Sequence, residues 1–320
     1  MSQRTTFHSV LAVCGPDARE DAATLALAGD VAAAQDAPVG LLAVAPSPQR
    51  HLAALPGANA ATIRQHLQAE HQGHLDRLAQ RTLPDRPGAT AVRLGKPFLE
   101  TVHHVQAEGH DLVIKTAEEL DGVSRRLLAS TDQHLLRKCP ATVWLRRAAR
   151  PDRPRVVLAA VDVDVESGDE PETEAALNRR ILDQAAAIAT WAGARLHLVT
   201  VWDSPDESLV RVWSPQGGAD SYARDLENRL RGRLDDLAGA SDLPAAREAC
   251  CHVERGSAHR VLPEVARRLG TELLVLGTVA RTGVPGLIIG NTAEDILNSV
   301  DLPLVAVKPP GYVSPVQPAR

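Results

Sequence analysis

Leu273-Leu-Val-Leu-Gly277-Thr-Val-Ala280-Arg281-Thr-Gly283-Val-Pro-Gly286-Leu-Ile-Ile-Gly290-Asn291-Thr292 is a short apolar run followed by a glycine-rich connection. After it comes a segment with helical spacing, Thr292–Ser299, for which Asn291 is placed as N-cap. A strand, a glycine loop and a helix start in that order suit a phosphate. Glycines let backbone N–H groups approach an anion, and the first helical turn adds donors without internal partners and a partial positive charge. Arg281 adds a guanidinium for a charge-assisted contact. The same residues also suit an ordinary β–α turn, because lone glycine loops are common.

The stretch has a counterpart earlier in the chain. Asp111-Leu-Val-Ile114 resembles Glu272-Leu-Leu-Val275, and Val92-Arg-Leu-Gly95 resembles Val253-Glu-Arg-Gly256. From Gly95 to Thr131 the second copy follows the first at a constant offset of 161 residues, without a gap. Further upstream, Ala43-Val-Ala-Pro-Ser-Pro48 resembles Thr200-Val-Trp-Asp-Ser-Pro205, and Val10-Leu-Ala-Val-Cys14 resembles Val157-Leu-Ala-Ala-Val-Asp162. So long a period is a duplicated domain, not a solenoid. The expected copies are residues 1–147 and 155–310. Between them lies a Pro- and Arg-rich seam, Arg146–Arg155, read as an exposed linker. A proline-bearing tail, 311–320, is expected to be flexible.

Each copy reads as strands alternating with helices. In the second, Val156–Val161, Leu196–Val201, Ala249–Val253, Leu273–Leu276 and Leu304–Val307 are short and apolar, as buried parallel strands are. Glu174–Trp191, Tyr222–Leu237 and His259–Leu269 carry helical periods, the last ended by Gly270. This alternation predicts two tandem, doubly wound, Rossmann-like α/β domains, each with a five-stranded parallel sheet. Ligands on such sheets sit at the carboxyl ends of strands, where strand order reverses.

Composition narrows the function. The 320 residues carry a net charge of −5, 44% hydrophobic residues and only 2% aromatics, so the cores rest on Ala, Leu, Val and Ile. No basic face for nucleic acid and no membrane span is expected. Met1–Ser9 holds no apolar signal core, and a cytoplasmic protein is expected. Cys14, Cys139, Cys250 and Cys251 show no zinc spacing and read as buried thiols. Nine of the 12 histidines lie in the first copy, with His71 and His74 at i,i+3. They read as solvated or capping side chains, and no metal is expected beyond Mg accompanying a nucleotide. Asp162 and Asp164 flank a strand end and suit a nucleotide or turn role better than a cation site. No nucleophile–base pair, GxSxG, Walker lysine or GxGxxG is present, which excludes the common hydrolase and dinucleotide signatures.

The tandem layout, the aspartate after the first strand and the pattern Gly-x-x-Gly-(x9)-Gly-Ser/Thr resemble the universal stress protein family. The carrying segments are Gly277–Glu294 and, in the first copy, Leu135-Leu-Arg-Lys-Cys-Pro140, with the likeness running from Phe7 to Tyr312. The resemblance implies a non-catalytic stress-response protein with an ATP-like nucleotide, and the missing general base leaves at most slow hydrolysis expected. It implies that Gly277, Ala280, Gly290, Asn291 and Thr292 hold phosphates, that Asp162 faces the adenine and ribose, and that Val201 flanks the adenine. Ala280 stands where the family has a second glycine, and Asn291 where it has a hydroxyl. These departures support the alternative, a scaffold with both sites degenerate that works through protein partners or another ligand. In the first copy Thr116, Glu119, Ala129 and Ser130 replace the loop residues, Glu118 and Glu119 would repel phosphate, and Cys14 is read at the aspartate's place. That copy is expected not to bind nucleotide in this mode. The resemblance further implies that Thr142–Leu145 and Leu304–Val307 pair the two copies as an intramolecular pseudo-dimer, a dimer of chains remaining open.

Overall fold

The computed structural model describes residues 6–15, 18–47, 60–86, 88–118, 130–164, 171–203, 218–278 and 300–319. The chain divides into two compact units. One runs to Asp152 and includes Val313–Arg320; the other runs from Arg153 to Tyr312.

In the first unit, strands β1 (Val10–Cys14), β2 (Val39–Ala45), β3 (Ala89–Leu94), β4 (Leu112–Thr116) and β5 (Thr142–Arg146) pair in the order β3-β2-β1-β4-β5. Every pairing is parallel. Helices α1 (Ala18–Ala34), α2 (Ala60–Thr82), α3 (Pro97–Glu108) and α4 (Ser130–Lys138) make the crossovers. The second unit repeats the plan with β6 (Val156–Ala160), β7 (Arg195–Trp202), β8 (Cys250–Arg255), β9 (Leu273–Gly277) and β10 (Leu304–Val307) in the order β8-β7-β6-β9-β10, again all parallel. Its helices are α5 (Pro171–Ala192), α6 (Gly218–Gly239), the four-residue α7 (Pro244–Arg247) and α8 (Ala258–Leu269). The periodicities named all of these except α7, which is too short to show a period. The helix expected over Thr292–Ser299 lies outside the described residues.

Burial follows strand position. The central strands β1 and β4 are buried almost throughout, which is why they read as continuous apolar runs. The edge strands β3 and β8 are half-exposed. That exposure corrects the expectation of four buried thiols: Cys14 and Cys139 are buried, Cys251 is intermediate and Cys250 is exposed. Burial, followed by the hydrogen bond with Asp235, pushes the Cys251 thiol up to about 11, so it is not a thiolate nucleophile at neutral pH.

Two further expectations change. Arg146 and Arg147 are not part of an exposed linker but buried, Arg146 as the last residue of β5. The tail is tied to the first unit: Ser314 Oγ donates to the Lys138 carbonyl at 2.6 Å and Gln106 Nε2 to the Val316 carbonyl at 2.9 Å.

Gly270 ends α8 as read, in the left-handed region at φ 64°, its N–H reaching the Ala266 and Arg267 carbonyls. Nothing crowds a Cβ there, so a side chain would meet conformational strain alone. Gly232 sits exposed inside α6 with equally open space and no positive φ. Gly270→Ala should lower stability by about 1 kcal/mol and Gly232→Ala should raise it by about 0.5–1 kcal/mol, read as opposite shifts of the urea midpoint.

His104 on α3 is buried, its Nδ1 lacks a hydrogen-bond partner, and its ring lies 5.5 Å from that of His110. Burial, then the neighbouring His110 and Arg93, lower its pKa to about 4. The unfolded chain, with histidine near its ordinary value, therefore binds the proton first. This contribution to stability is complete above pH about 6.5 and is lost as pH falls toward about 4. Urea midpoints measured across that window should fall with acidification in the wild type, and His104→Leu should flatten the dependence.

Candidate functional site

The strand order of the second unit reverses between β6 and β9, and on open parallel sheets the carboxyl ends of the strands at such a reversal are where ligands bind. Sheet register decides what meets there. Ala160 pairs with Val199 on β7 and with Leu276 on β9. Continuing that register sets Asp162 level with Val201 and Thr278, and Val161 level with Gly277. Three of the eight residues singled out from sequence, Asp162, Val201 and Gly277, thus stand at the same end of three adjacent strands. Ala280, Arg281, Gly290, Asn291 and Thr292 lie outside the described residues.

Each of the three has a local cause. Asp162 is exposed just beyond β6, and its backbone is gripped by Asn178 of α5. The Asp162 N–H donates to Asn178 Oδ1 at 3.0 Å, and Asn178 Nδ2 donates to the Asp162 carbonyl at 2.5 Å. Asp162 Oδ1 accepts from the Asp164 N–H at 3.3 Å, and Asp164 accepts from Arg233 of α6 at 3.3 Å. The pair is therefore tied into a turn, with Asp164 facing the Arg233 guanidinium. Among the described residues no cluster of three or more metal-ligating side chains occurs. Val201 is half-buried next to this carboxylate level. Gly277 is small because α5 crosses it: an added Cβ would lie 2.9 Å from Leu177 Cδ2 and 3.3 Å from Ile181 Cδ1. Beyond it Thr278 is buried, its Oγ1 accepting from the buried Lys308 Nζ at 2.6 Å. The Lys308 ammonium also lies 5.0 Å from the Tyr312 ring centroid. Asn178 and Lys308 belong to this strand-end framework, and sequence reasoning missed both. A polar residue facing inward on the Ala-rich α5 was the available signal for the first.

The first unit builds the equivalent position differently. Its order reverses between β1 and β4, where Val13 pairs with Lys115. That register sets Thr116 in the place of Gly277, as the constant offset required. It also sets Gly15, not Cys14, in the place of Asp162, a correction to the reading of the first strand. The helix-borne grip is kept: the Gly15 N–H donates to Asp21 Oδ1 of α1 at 2.6 Å, as the Asp162 N–H donates to Asn178. Cys14 itself is buried, and burial with the nearby Asp21 raises its thiol pKa.

Around Thr116 the strand ends are filled by the unit's own charges. Arg146 Nη1 donates to Thr116 Oγ1 at 2.7 Å and to Glu20 Oε2 at 2.5 Å, and its Nε donates to Asp152 at 2.7 Å. Thr24 uses its proton on the Glu20 carbonyl at 2.7 Å, so the Thr116 hydroxyl donates to Thr24 across 2.8 Å. Burial alone would lower the Arg146 pKa, but its bonds to Asp152 and Glu20 carry it upward. One residue along, Lys115 Nζ meets Asp132 at 2.9 Å and Glu118 at 3.1 Å, while the Glu118 N–H donates to Asp132 Oδ2 at 2.9 Å. Burial raises the Asp132 carboxyl pKa even though Lys115 opposes it. Glu118, expected to repel phosphate, instead occupies a lysine; Glu119 lies outside the described residues.

Comparison with known proteins bears on family and fold. The model of the universal stress protein family matches residues 6–147 and 156–308. The chain is 30% identical over 224 residues to universal stress protein E of Escherichia coli K12, covering 69% of this chain and 68% of that protein. It is also 30% identical over 207 residues to a universal stress protein E homolog of Haemophilus influenzae, covering 64% of each. Among solved structures it is similar to a functionally unknown protein from Pseudomonas aeruginosa PAO1, at 25% identity and a TM-score of 0.64 over 95% of this chain and 93% of that one. A universal stress protein from Archaeoglobus fulgidus shares the fold at 16% identity and a TM-score of 0.57, over 96% and 99% of the two chains. Two tandem matches, on two units of one topology, lead to one conclusion: this chain belongs to the universal stress protein family.

Proposed function

We propose that this chain is a non-catalytic stress-response protein whose second unit binds ATP or a related nucleotide, with Mg accompanying the phosphates. The observation that supports the reading most is the alignment of Asp162, Val201 and Gly277 at the carboxyl ends of β6, β7 and β9, beside the reversal of strand order. An exposed carboxylate beside an apolar, half-buried valine fits a purine nucleoside: Val201 flanks the base and Asp162 accepts from hydroxyl or amino groups. The glycine-bearing segment through Gly290, Asn291 and Thr292, with Arg281, takes the phosphates in this proposal. Mg-bound nucleotide supplies only the charge that the loop recognises; the chain's own residues bind and orient it, and no general base is assigned. The reading further assigns the first unit no nucleotide, because Arg146, Lys115 and their carboxylates fill the equivalent strand ends. A cytoplasmic location is part of the proposal. Among the described residues no helix is long and apolar enough to cross a membrane.

The second reading, a scaffold acting through protein partners or another ligand, is favoured by Ala280 and Asn291 in place of a glycine and a hydroxyl. Calorimetric titration with Mg-ATP separates the two. The proposal predicts saturable binding that weakens at least about tenfold, or about 1.4 kcal/mol, in Gly290→Val. Absence of binding at millimolar ATP selects the scaffold. Turnover at or above about 1 per second would contradict a non-catalytic protein.

A further inference from the structure

The first unit carries an open cleft of about 660 Å³ away from its reversal point, at the end of the edge strand β3 and against α2. Its wall is Ala91, Val92, Arg93 and Leu94 of β3, with Arg64 and Gln68 of α2 opposite and Ser47 and Glu100 at the sides. Arg64 and Gln68 are four residues apart, so they share one helix face. The volume lies within the range of small-molecule sites, roughly 300–1,000 Å³.

The charges in this cleft differ from those at the strand ends of the same unit. Arg146 and Lys115 are saturated by carboxylates. Among the described residues Arg64 and Arg93 make no hydrogen bond or ion pair, although both are only half-exposed. Arg64 Nε is sealed from solvent and has no hydrogen-bond partner among the described residues. An N–H shielded from water and left unpaired is costly, and a ligand oxygen removes that cost. The single carboxylate, Glu100, is folded over Gly95: a Cβ at Gly95 would lie 2.7 Å from Glu100 Cγ and Oε1. Gly95 is in turn held by its N–H to the Ala45 carbonyl at 2.9 Å. The carboxylate is thus parked beside the cleft without pairing with either guanidinium. As the terminal strand of its unit, β3 also turns half its backbone N–H and C=O groups away from β2.

We propose that this cleft is a second ligand site, in the first unit, for a small phosphorylated and hydroxyl-bearing metabolite of the sugar-phosphate class. Arg64 and Arg93 take the phosphate, for which the planar guanidinium fork is suited. Glu100, Gln68 and Ser47 take hydroxyl groups. The site is independent of the nucleotide reading of the second unit, since it shares no residue with it.

The test is a calorimetric titration of the full chain with ribose 5-phosphate, alongside ribose. Expected are saturable binding of ribose 5-phosphate, none of ribose, and unchanged affinity in Gly290→Val. Arg64→Ala and Arg93→Ala should each weaken binding at least about tenfold. Arg64→Lys and Arg93→Lys, which keep the charge and the packing of the stem, should also weaken it, because the fork is lost. Circular dichroism of each variant should match the wild type. Three results would overturn the assignment: no saturation at millimolar ribose 5-phosphate, binding lost in Gly290→Val but kept in Arg64→Ala, or indifference to ribose 5-phosphate with capture of a Glu-rich peptide along β3.

Discussion

A parallel sheet concentrates unmet polar groups at one place. Where strand order reverses, the crossovers part, and the carboxyl ends of the two central strands are left with backbone groups that neither crossover covers. Both units of this protein face that constraint at matched positions, β1 with β4 and β6 with β9. Both begin the answer in the same way. A side-chain oxygen from the first crossover helix takes the backbone N–H just past the first strand, from Asp21 in one unit and from Asn178 in the other.

From there the units diverge, and the divergence traces to one residue pair. Thr116 at the end of β4 offers a hydroxyl, and Thr24 and Arg146 converge on it. Gly277 at the end of β9 offers nothing, and Leu177 closes over it. The buried Arg146, held by Glu20, Asp152 and Thr116, occupies that strand end with internal charge. The first unit carries internal charged structure at the position equivalent to Gly277. In the second the end of β9 is a glycine followed by Thr278 bonded to Lys308, the carboxylate of Asp162 stays exposed, and the following chain is rich in glycine.

The strands and long helices were legible because buried parallel strands are short apolar runs, and the helices between them carry a clear period. The repeat made the loop comparison quantitative, since the 161-residue offset holds without a gap. What failed is equally specific. Gly15 was missed in favour of Cys14 because matching a five-residue run to a six-residue one by composition leaves the register undecided by one position, and only strand pairing fixes it. Arg146 was read as linker because arginine in a proline-rich run is normally solvated; its burial depends on Glu20, 126 residues away. The cleft of the first unit joins Ser47, Arg64, Arg93 and Glu100 from separate elements, and no local spacing reports such a meeting. Among the residues assigned to phosphate, Gly277 also has a packing reason to be glycine, so that position alone does not argue for a ligand.

The central claim is an asymmetry: one strand-end site kept, its twin filled by the protein's own charges. Nucleotide stoichiometry tests it most directly, by native mass spectrometry of the full chain with Mg-ATP. The account predicts one nucleotide per chain. Two per chain, or one that survives Gly290→Val and is displaced by altering Thr116, would contradict it.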